Sequence, residues 1–288
     1  MTKEDDIMEY IVTIHSIKEI SILKNADSFL IGNQKFAVRL NTSFNKMQIK
    51  LAKDCCVKLN KKLYVLVNKI MMDQDLESLE KYLLFLKEIE IDGIFFSDFA
   101  VFMLAKKYHF DNKLIFYHDT ILRSAQDVIS YHYIGIPRLV FSKDAHLEDI
   151  LALNEKDKNM AGLFVQGYFP IYYSKRRVIK HHLKRYHLSL NNKNMFLKEK
   201  TRSEFYPILE NQNGAIIFNS LPLSYIQEIN QLKNHISFII IDSIFENVHY
   251  TEKWLNLYQQ VIENNQNVMV EDMSLFTTGF LTKKVGLE

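Results

Sequence analysis

Short β-branched or aromatic runs alternate with helical patterns along all 288 residues, and this rhythm constrains the fold more than any other feature. Strands are expected at Tyr10–Ile14, Ser28–Ile31, Leu63–Asn68, Gly93–Ser97, Leu114–Tyr117, Arg138–Phe141, Gly162–Val165 and Ser237–Ile241. Helices are expected to follow at Ile17–Lys24, Phe44–Leu59, Leu76–Ile89, Phe99–Lys106, Ser124–Tyr133, Leu147–Asn154, Leu223–Leu232 and Tyr250–Asn264. Leu76, Leu79, Leu83 and Leu86 recur at helical spacing, with Glu77, Glu80, Lys81 and Lys87 on the other face. Trp254, Leu257, Tyr258 and Val261 form a second such stripe. Asp98 is placed to cap the helix that follows it, and Ser43 the helix at Phe44–Leu59. Strands such as GIFF and FIII are apolar on both faces, as a parallel sheet covered by helices requires. Eight strands, each followed by a helix, predict an α/β fold of the closed (β/α)8 TIM type. No GxGxxG or Walker loop follows any strand, which argues against an open nucleotide-binding sheet.

The length suits one such barrel, so a single domain over 1–288 is expected. With 8 Gly and 4 Pro the chain has no stretch that reads as a flexible linker. The start, MTKEDDIMEY, lacks the basic and apolar regions of a signal peptide, and no run of about 18 apolar residues occurs. A cytoplasmic protein with no membrane partner is expected. Cys55 and Cys56 are adjacent on a helix, where side chains diverge by about 100°, which suits two small core residues better than joint metal ligands.

One connection breaks the rhythm. Between the seventh strand and its helix lie about 60 residues, roughly 166–222, against about 2–6 in an ordinary loop of this kind. Within this insertion, EFYPILENQNGAIIFNS predicts a β-hairpin turning at Asn213–Gly214. The insertion leaves the barrel at its C-terminal rim, where sites of this fold are built. From Lys158 to Lys198 there is no Asp or Glu. That span holds Lys175, Arg176, Arg177, Lys180, Lys184, Arg185 and Lys193, interleaved with Tyr168, Phe169, Tyr172, Tyr173 and Tyr186. Cations that neutralise phosphates beside aromatics that stack on bases suit single-stranded or loop RNA; a solvated, solubilising face is the plainer alternative. His181, His182 and His187 lack the spacing and carboxylate of an HExxH site, so no metal is expected there.

The strand ends carry a second set of polar residues. Arg39, Asn68, Ser97, Asp98, His118 and Asp119 should converge on the barrel mouth. Arg39 is a candidate clamp for a substrate carboxylate, and His118 with Asp119 a candidate catalytic acid–base pair. Ser97 as a strand end and Asp98 as a helix cap are the simpler alternatives.

The stretch GLFVQGYFPIYYSKRRVIK, Gly162 to Lys180, resembles the signature of the collagenase-like peptidase U32 family through Phe164, Gly167, Arg176 and Ile179. That family places cysteines at Pro170 and Arg177, glutamate at Gly162, glycine at Lys175 and serine at Lys180, and a further cysteine at Ser224. NADSFLIGNQKFAVR, LYVLVNKIMMDQDLESLEKYLLFLKEIEIDGIFFSD, GIPRLVFSKDAHLEDI, EFYPILENQNGAIIFNS and FTTGF resemble successive family segments in order. The fifth strand reads FYHDT where the family has a His-Ser-Thr-Gln run, and Asp242–Ser243 replaces an acidic-Gly-Arg ending.

The resemblance implies an iron–sulfur cluster in members that keep the cysteines, and none in this chain. Some members occur in tandem, one with the cysteines and one without, and are implicated in making 5-hydroxyuridine at the tRNA wobble position, with prephenate involved. It therefore implies a cysteine-free subunit without catalysis of its own. Its partners would be a cysteine-bearing U32 paralogue, tRNA, and prephenate or another small dicarboxylate. An enzyme acting on small molecules through the mouth residues is the alternative. A peptidase is the weaker one, because no GxSxG elbow, HExxH pair or rim cysteine is present.

Overall fold

Eight parallel strands form a ring because the first meets the last. In a computed structural model that describes residues 7–189, 195–266, 268, 270 and 272–282, β1 (Glu9–Thr13) pairs with β2 (Ser28–Gly32). The ladder continues through β3 (Lys62–Val67), β4 (Gly93–Phe96), β5 (Leu114–Tyr117), β6 (Arg138–Phe141) and β7 (Ala161–Gly167). β13 (Phe238–Ile241) then pairs with both β7 and β1 and closes the barrel. The four residues of β4, β5 and β13 are all buried, since each strand faces the packed interior on one side and helices on the other.

Five helices match their expected positions closely: α2 (Lys46–Lys58), α3 (Leu76–Glu88), α4 (Phe99–Lys107), α5 (Ala125–Tyr133) and α9 (Val248–Asn264). α1 (Glu19–Ile22), α6 (Leu147–Leu151) and α8 (Ile229–Leu232) are shorter than their patterns predict. The start of the expected Leu223–Leu232 helix is instead β12 (Leu223–Ser224). β7 outruns β6, whose pairing ends at Leu163, and β12 takes the vacant edge at Gln166 and Gly167. Asn45, not Ser43, caps α2 by a reciprocal pair of hydrogen bonds with Gln48, while the Ser43 hydroxyl accepts from Gln34.

The long connection is a second sheet. β8 (Pro170–Ser174), β11 (Gly214–Phe218), β10 (Phe205–Asn211) and β9 (Met195–Lys198) lie side by side, all antiparallel, and α7 (Val178–Tyr186) follows β8. The predicted hairpin is β10–β11, one residue out of register: Asn211 pairs with Gly214, so the loop is Gln212–Asn213. Gly214 has φ +122, and a Cβ there would sit 2.0 Å from the Ser174 carbonyl oxygen. The Asn213 amide donates to the carbonyls of Gln34 and Ala37, and Ile216 and Phe218 pack with Ile244 and Val38. These contacts seat the small sheet over the barrel mouth.

A column of side chains fills the interior. At its foot Arg138 pairs with Glu9 at 2.6 Å and lies over the Phe238 ring at 4.2 Å. Phe238 meets Phe95, and Phe95 meets Tyr117 edge-on with centroids 6.0 Å apart. Tyr117 ends the column at the mouth, where its hydroxyl accepts from the Arg39 guanidinium. A Cβ on Gly162 would lie 2.3 Å from the Phe238 ring, so the volume that the family resemblance assigns to a glutamate side chain is filled here by an aromatic one.

Burial alone would raise the Glu9 carboxyl, but Arg138, Lys62 and the hydroxyls of Ser28 and Tyr64 more than offset it and hold it below the usual glutamate range. A carboxyl depressed in the folded state contributes stability above its unfolded pKa, and that contribution is lost as pH falls through the folded value. Arg138→Met removes the main opposing charge, so the variant is expected to be less stable than the parent at neutral pH, with the deficit shrinking as pH falls and Glu9 is protonated, as followed by urea unfolding at several pH values. A deficit that does not change with pH would show that the Glu9 carboxylate is not its source.

Candidate functional site

The sheet of the insertion roofs a cleft of about 270 Å³ at the C-terminal ends of the strands. Arg39, Asn68, Ser97, His118 and Asp119 line it from the barrel side, and Pro170, Tyr172 and Tyr173 from the roof. Five of the six mouth residues expected from sequence are thus brought together. Asp98 is not one of them. One of its carboxylate oxygens caps α4 at the Ala100 amide, 2.9 Å, and the other accepts from the Met71 amide at 2.8 Å. Both lone-pair directions are taken by backbone, which leaves it a local structural role.

Arg39 sits in left-handed backbone conformation, φ +59, with its side chain only 6% exposed. Its guanidinium lies 3.5 Å from Asp242, which is equally buried, and 3.6 Å from Asp119, which is 46% exposed. It also donates to the Tyr117 hydroxyl and lies over the rings of Tyr117 and Phe164. Although burial opposes its charge, Tyr117, Asp242 and Asp119 together raise its pKa, so it stays a cation. The expected carboxylate clamp is therefore already occupied by the protein's own carboxylates. Of the two carboxylates, Asp119 is the exposed partner.

Asp242 is held from behind. Its Oδ1 accepts from the Thr13 hydroxyl at 2.9 Å and the Ile244 amide at 3.0 Å. Ser243 beside it bonds the His15 ring at 2.9 Å. Asn68 accepts from the Val38 amide at 2.9 Å, and Ser97 donates to the Tyr117 carbonyl at 2.5 Å. Burial lowers the His118 pKa, against the pull of Asp119, so the ring is neutral at neutral pH. The Thr120 amide donates to its Nδ1 at 3.3 Å, which assigns the ring proton to Nε2. A neutral imidazole beside a carboxylate is suited to proton transfer.

The basic residues lie on a different surface. Lys175, Arg176, Lys180, Lys184 and Arg185 are exposed and Arg177 half-buried, all on α7 or the turn before it; Lys193 lies outside the described residues. The helix start has no acid of its own, and Glu210 of β10 supplies one, accepting from the Ile179 and Lys180 amides at 2.7 and 2.9 Å. His181, His182 and His187 are exposed, and no group of three His, Cys, Asp or Glu arranged for a metal occurs among the described residues. Cys56 is buried on α2 with its thiol pushed up to about 12 by burial, so it is no nucleophile. No helix among the described residues is long and apolar enough to cross a membrane.

The sequence profile of peptidase family U32 matches residues 15–277. The chain belongs to this family. Among curated relatives, tRNA hydroxylation protein P2 of Bacillus subtilis is 27% identical over 88% of this chain and 85% of its own length. tRNA hydroxylation protein P1 of the same organism is 23% identical over 64% of this chain, which spans 43% of that protein. The 23S rRNA 5-hydroxycytidine C2501 synthase of Escherichia coli is 22% identical over 58% of this chain and 25% of its length. The solved structure of the U32 peptidase Mk0906 superposes with a TM-score of 0.50 at 11% identity, covering 84% of this chain and 95% of that one. The barrel predicted from the strand–helix rhythm is the fold of a U32 protein.

The U32 signature residues have structural tasks here. Phe164 lies beneath Arg39, and Gly167, at φ +125, abuts Asp242. Pro170, Arg177 and Ser224 stand where the family resemblance places cysteines: at the start of β8, at the N-terminus of α7 and on β12. A proline ring, a guanidinium and a hydroxyl offer no thiolate, so these residues do not fit an iron–sulfur cluster. Sequence reasoning did not include Tyr117, Lys143 or Asp242 in the site. The spacing of Asp242 at the end of a barrel strand was the available signal.

Proposed function

We propose that this chain takes part in hydroxylating RNA, as a subunit of an assembly that makes 5-hydroxyuridine at the tRNA wobble position. The observation that carries the reading is its identity, along most of both chains, with a protein named for tRNA hydroxylation. On this reading the cluster, and with it catalysis, belongs to a cysteine-bearing U32 paralogue, which is supported by the lack of a thiolate at Pro170, Arg177 and Ser224. This chain contributes an RNA-binding surface, the exposed cations of α7 and the turn before it, and works in the cytoplasm. Such a surface neutralises backbone phosphates and makes binding steeply salt-dependent. The cleft over Arg39 takes prephenate or another small dicarboxylate at the expense of the Asp119 contact. A second reading, a small-molecule enzyme, is favoured by neutral His118 beside Asp119 in that same cleft.

Nucleoside mass spectrometry of tRNA from a deletion strain tests the first reading. Grown without oxygen, which silences oxygen-dependent routes, the strain is expected to lose 5-hydroxyuridine derivatives. The intact gene should restore them, and one carrying Arg176→Ala and Arg177→Ala should restore them only in part. Unchanged levels in the deletion strain would end the tRNA reading and favour the second.

A further inference from the structure

Beside the roofed cleft, and sharing Lys143 and Ile171 with it, runs a wider groove of about 550 Å³. The loop after β5 contributes Arg123, the loop after β6 contributes Lys143 and His146, and the C-terminal segment contributes Phe280. We propose that this groove is a nucleotide subsite, in which Arg123 and His146 hold a phosphate and Phe280 stacks on a uracil. The proposal rests on the RNA reading above and adds to it where the target nucleotide is held.

Five observations carry it. The volume lies within the range of about 300–1000 Å³ typical of small-molecule sites, enough for one nucleotide and too little for a duplex. Arg123 is exposed and makes no ion pair among the described residues, so its planar fork is free for a phosphate. The acid in the groove, Asp144, is 2.6 Å from Lys143, so the two cancel and the excess charge is positive. Phe280 is 42% exposed with the Lys143 ammonium 6.0 Å from its ring, an apolar face with a cation beside it, as an unstacked base requires. Asn219, also lining the groove, donates its amide to the Leu221 carbonyl at 2.9 Å, which leaves its carbonyl oxygen for the single N–H on the pairing edge of uracil. An enzyme assembly that modifies a base must take that base out of its stack, and the groove adjoins the cleft at Lys143 and Ile171.

The groove and α7 are separate surfaces, so cross-linking distinguishes them. The probe is an anticodon stem-loop RNA with 4-thiouridine at the wobble position, irradiated with the full chain, and the linked peptides are sequenced. Linkage to the segments around Phe169–Ile171 or Thr277–Phe280 is expected. Phe280→Ala and Arg123→Gln should each weaken stem-loop binding about tenfold, the loss of one stacking contact or one charged hydrogen bond, while Phe280→Tyr should restore it. Linkage confined to 175–185 overturns the groove and leaves the RNA reading standing. Uridine monophosphate binding that is lost in Arg123→Gln, with no stem-loop binding, supports a subsite for free nucleotide and counts against RNA. Neither ligand binding, or binding unchanged in both variants, overturns the subsite; the tRNA reading is then decided separately by nucleoside analysis.

Discussion

Arg39→Met is expected to destabilise the folded chain by about 3–5 kcal/mol, the cost of leaving a buried charge without its partner. Asp242 is 6% exposed and its Oδ2 faces the guanidinium, while Thr13 and Ile244 satisfy Oδ1 only. Methionine fills similar volume, so the loss is electrostatic rather than a cavity. Asp119 adds little, because at 46% exposure water screens it. Urea unfolding of parent and variant measures the effect, and Arg39→Met with Asp242→Asn should recover much of it, since the second change removes the stranded charge. A loss under about 1 kcal/mol in the single variant would place Arg39 among ordinary surface substitutions and remove the ion cluster as an organiser of the mouth.

Gly167→Ala is the second large effect, at about 2–6 kcal/mol from two sources acting together. Its φ of +125 is a conformation that costs an L side chain about 1–3 kcal/mol. The new Cβ would also stand 2.4 Å from the Asp242 carbonyl oxygen, a backbone atom that cannot swing aside, and overpacking of this kind costs about 1–3 kcal/mol more. Because Asp242 is the residue that would be pushed, the variant should also loosen the Arg39 contact, and a thermal melt should fall accordingly. Gly135→Ala is the control: it too has positive φ, +103, but nothing lies within 4 Å, so only the strain remains. Equal losses at the two glycines would mean that the contact with Asp242 contributes nothing.

Much of the barrel was legible because its signals are local. Runs such as GIFF and FIII are fully buried strands, and of the stripe Leu76, Leu79, Leu83 and Leu86 all but Leu76, exposed at the helix start, lie on the buried face of α3. Errors arose where a long-range partner overrode a local pattern. Leu223 and Ser224 read as the start of a helix, yet the overhanging edge of β7 draws them into a strand. Ser43 reads as a cap, yet its hydroxyl serves Gln34 and the capping falls to Asn45. The four-stranded sheet of the insertion was only partly visible, because β8 carries no apolar–polar alternation and its exposed residues, Ile171 and Tyr172, are neighbours rather than members of one face.

By itself the sequence determined the eight strands of the barrel, the closed fold, the family likeness, the acid-free basic stretch and the lack of thiolates at Pro170, Arg177 and Ser224. These depend on residue type and spacing along the chain, which periodicity and composition report directly. Tertiary structure alone decided which polar residues share a cleft and what each already binds. Arg39 and Asp242 are far apart in sequence, and only closure of the ring through β13 and β1 brings the guanidinium within 3.5 Å of that carboxylate. Asp98, which the same strand-end logic placed in the mouth, is instead turned toward two backbone amides on its own side of the wall. Strand position fixes where a residue emerges, but the direction of its side chain follows from whichever unsatisfied donor or charge lies closest once the barrel has closed.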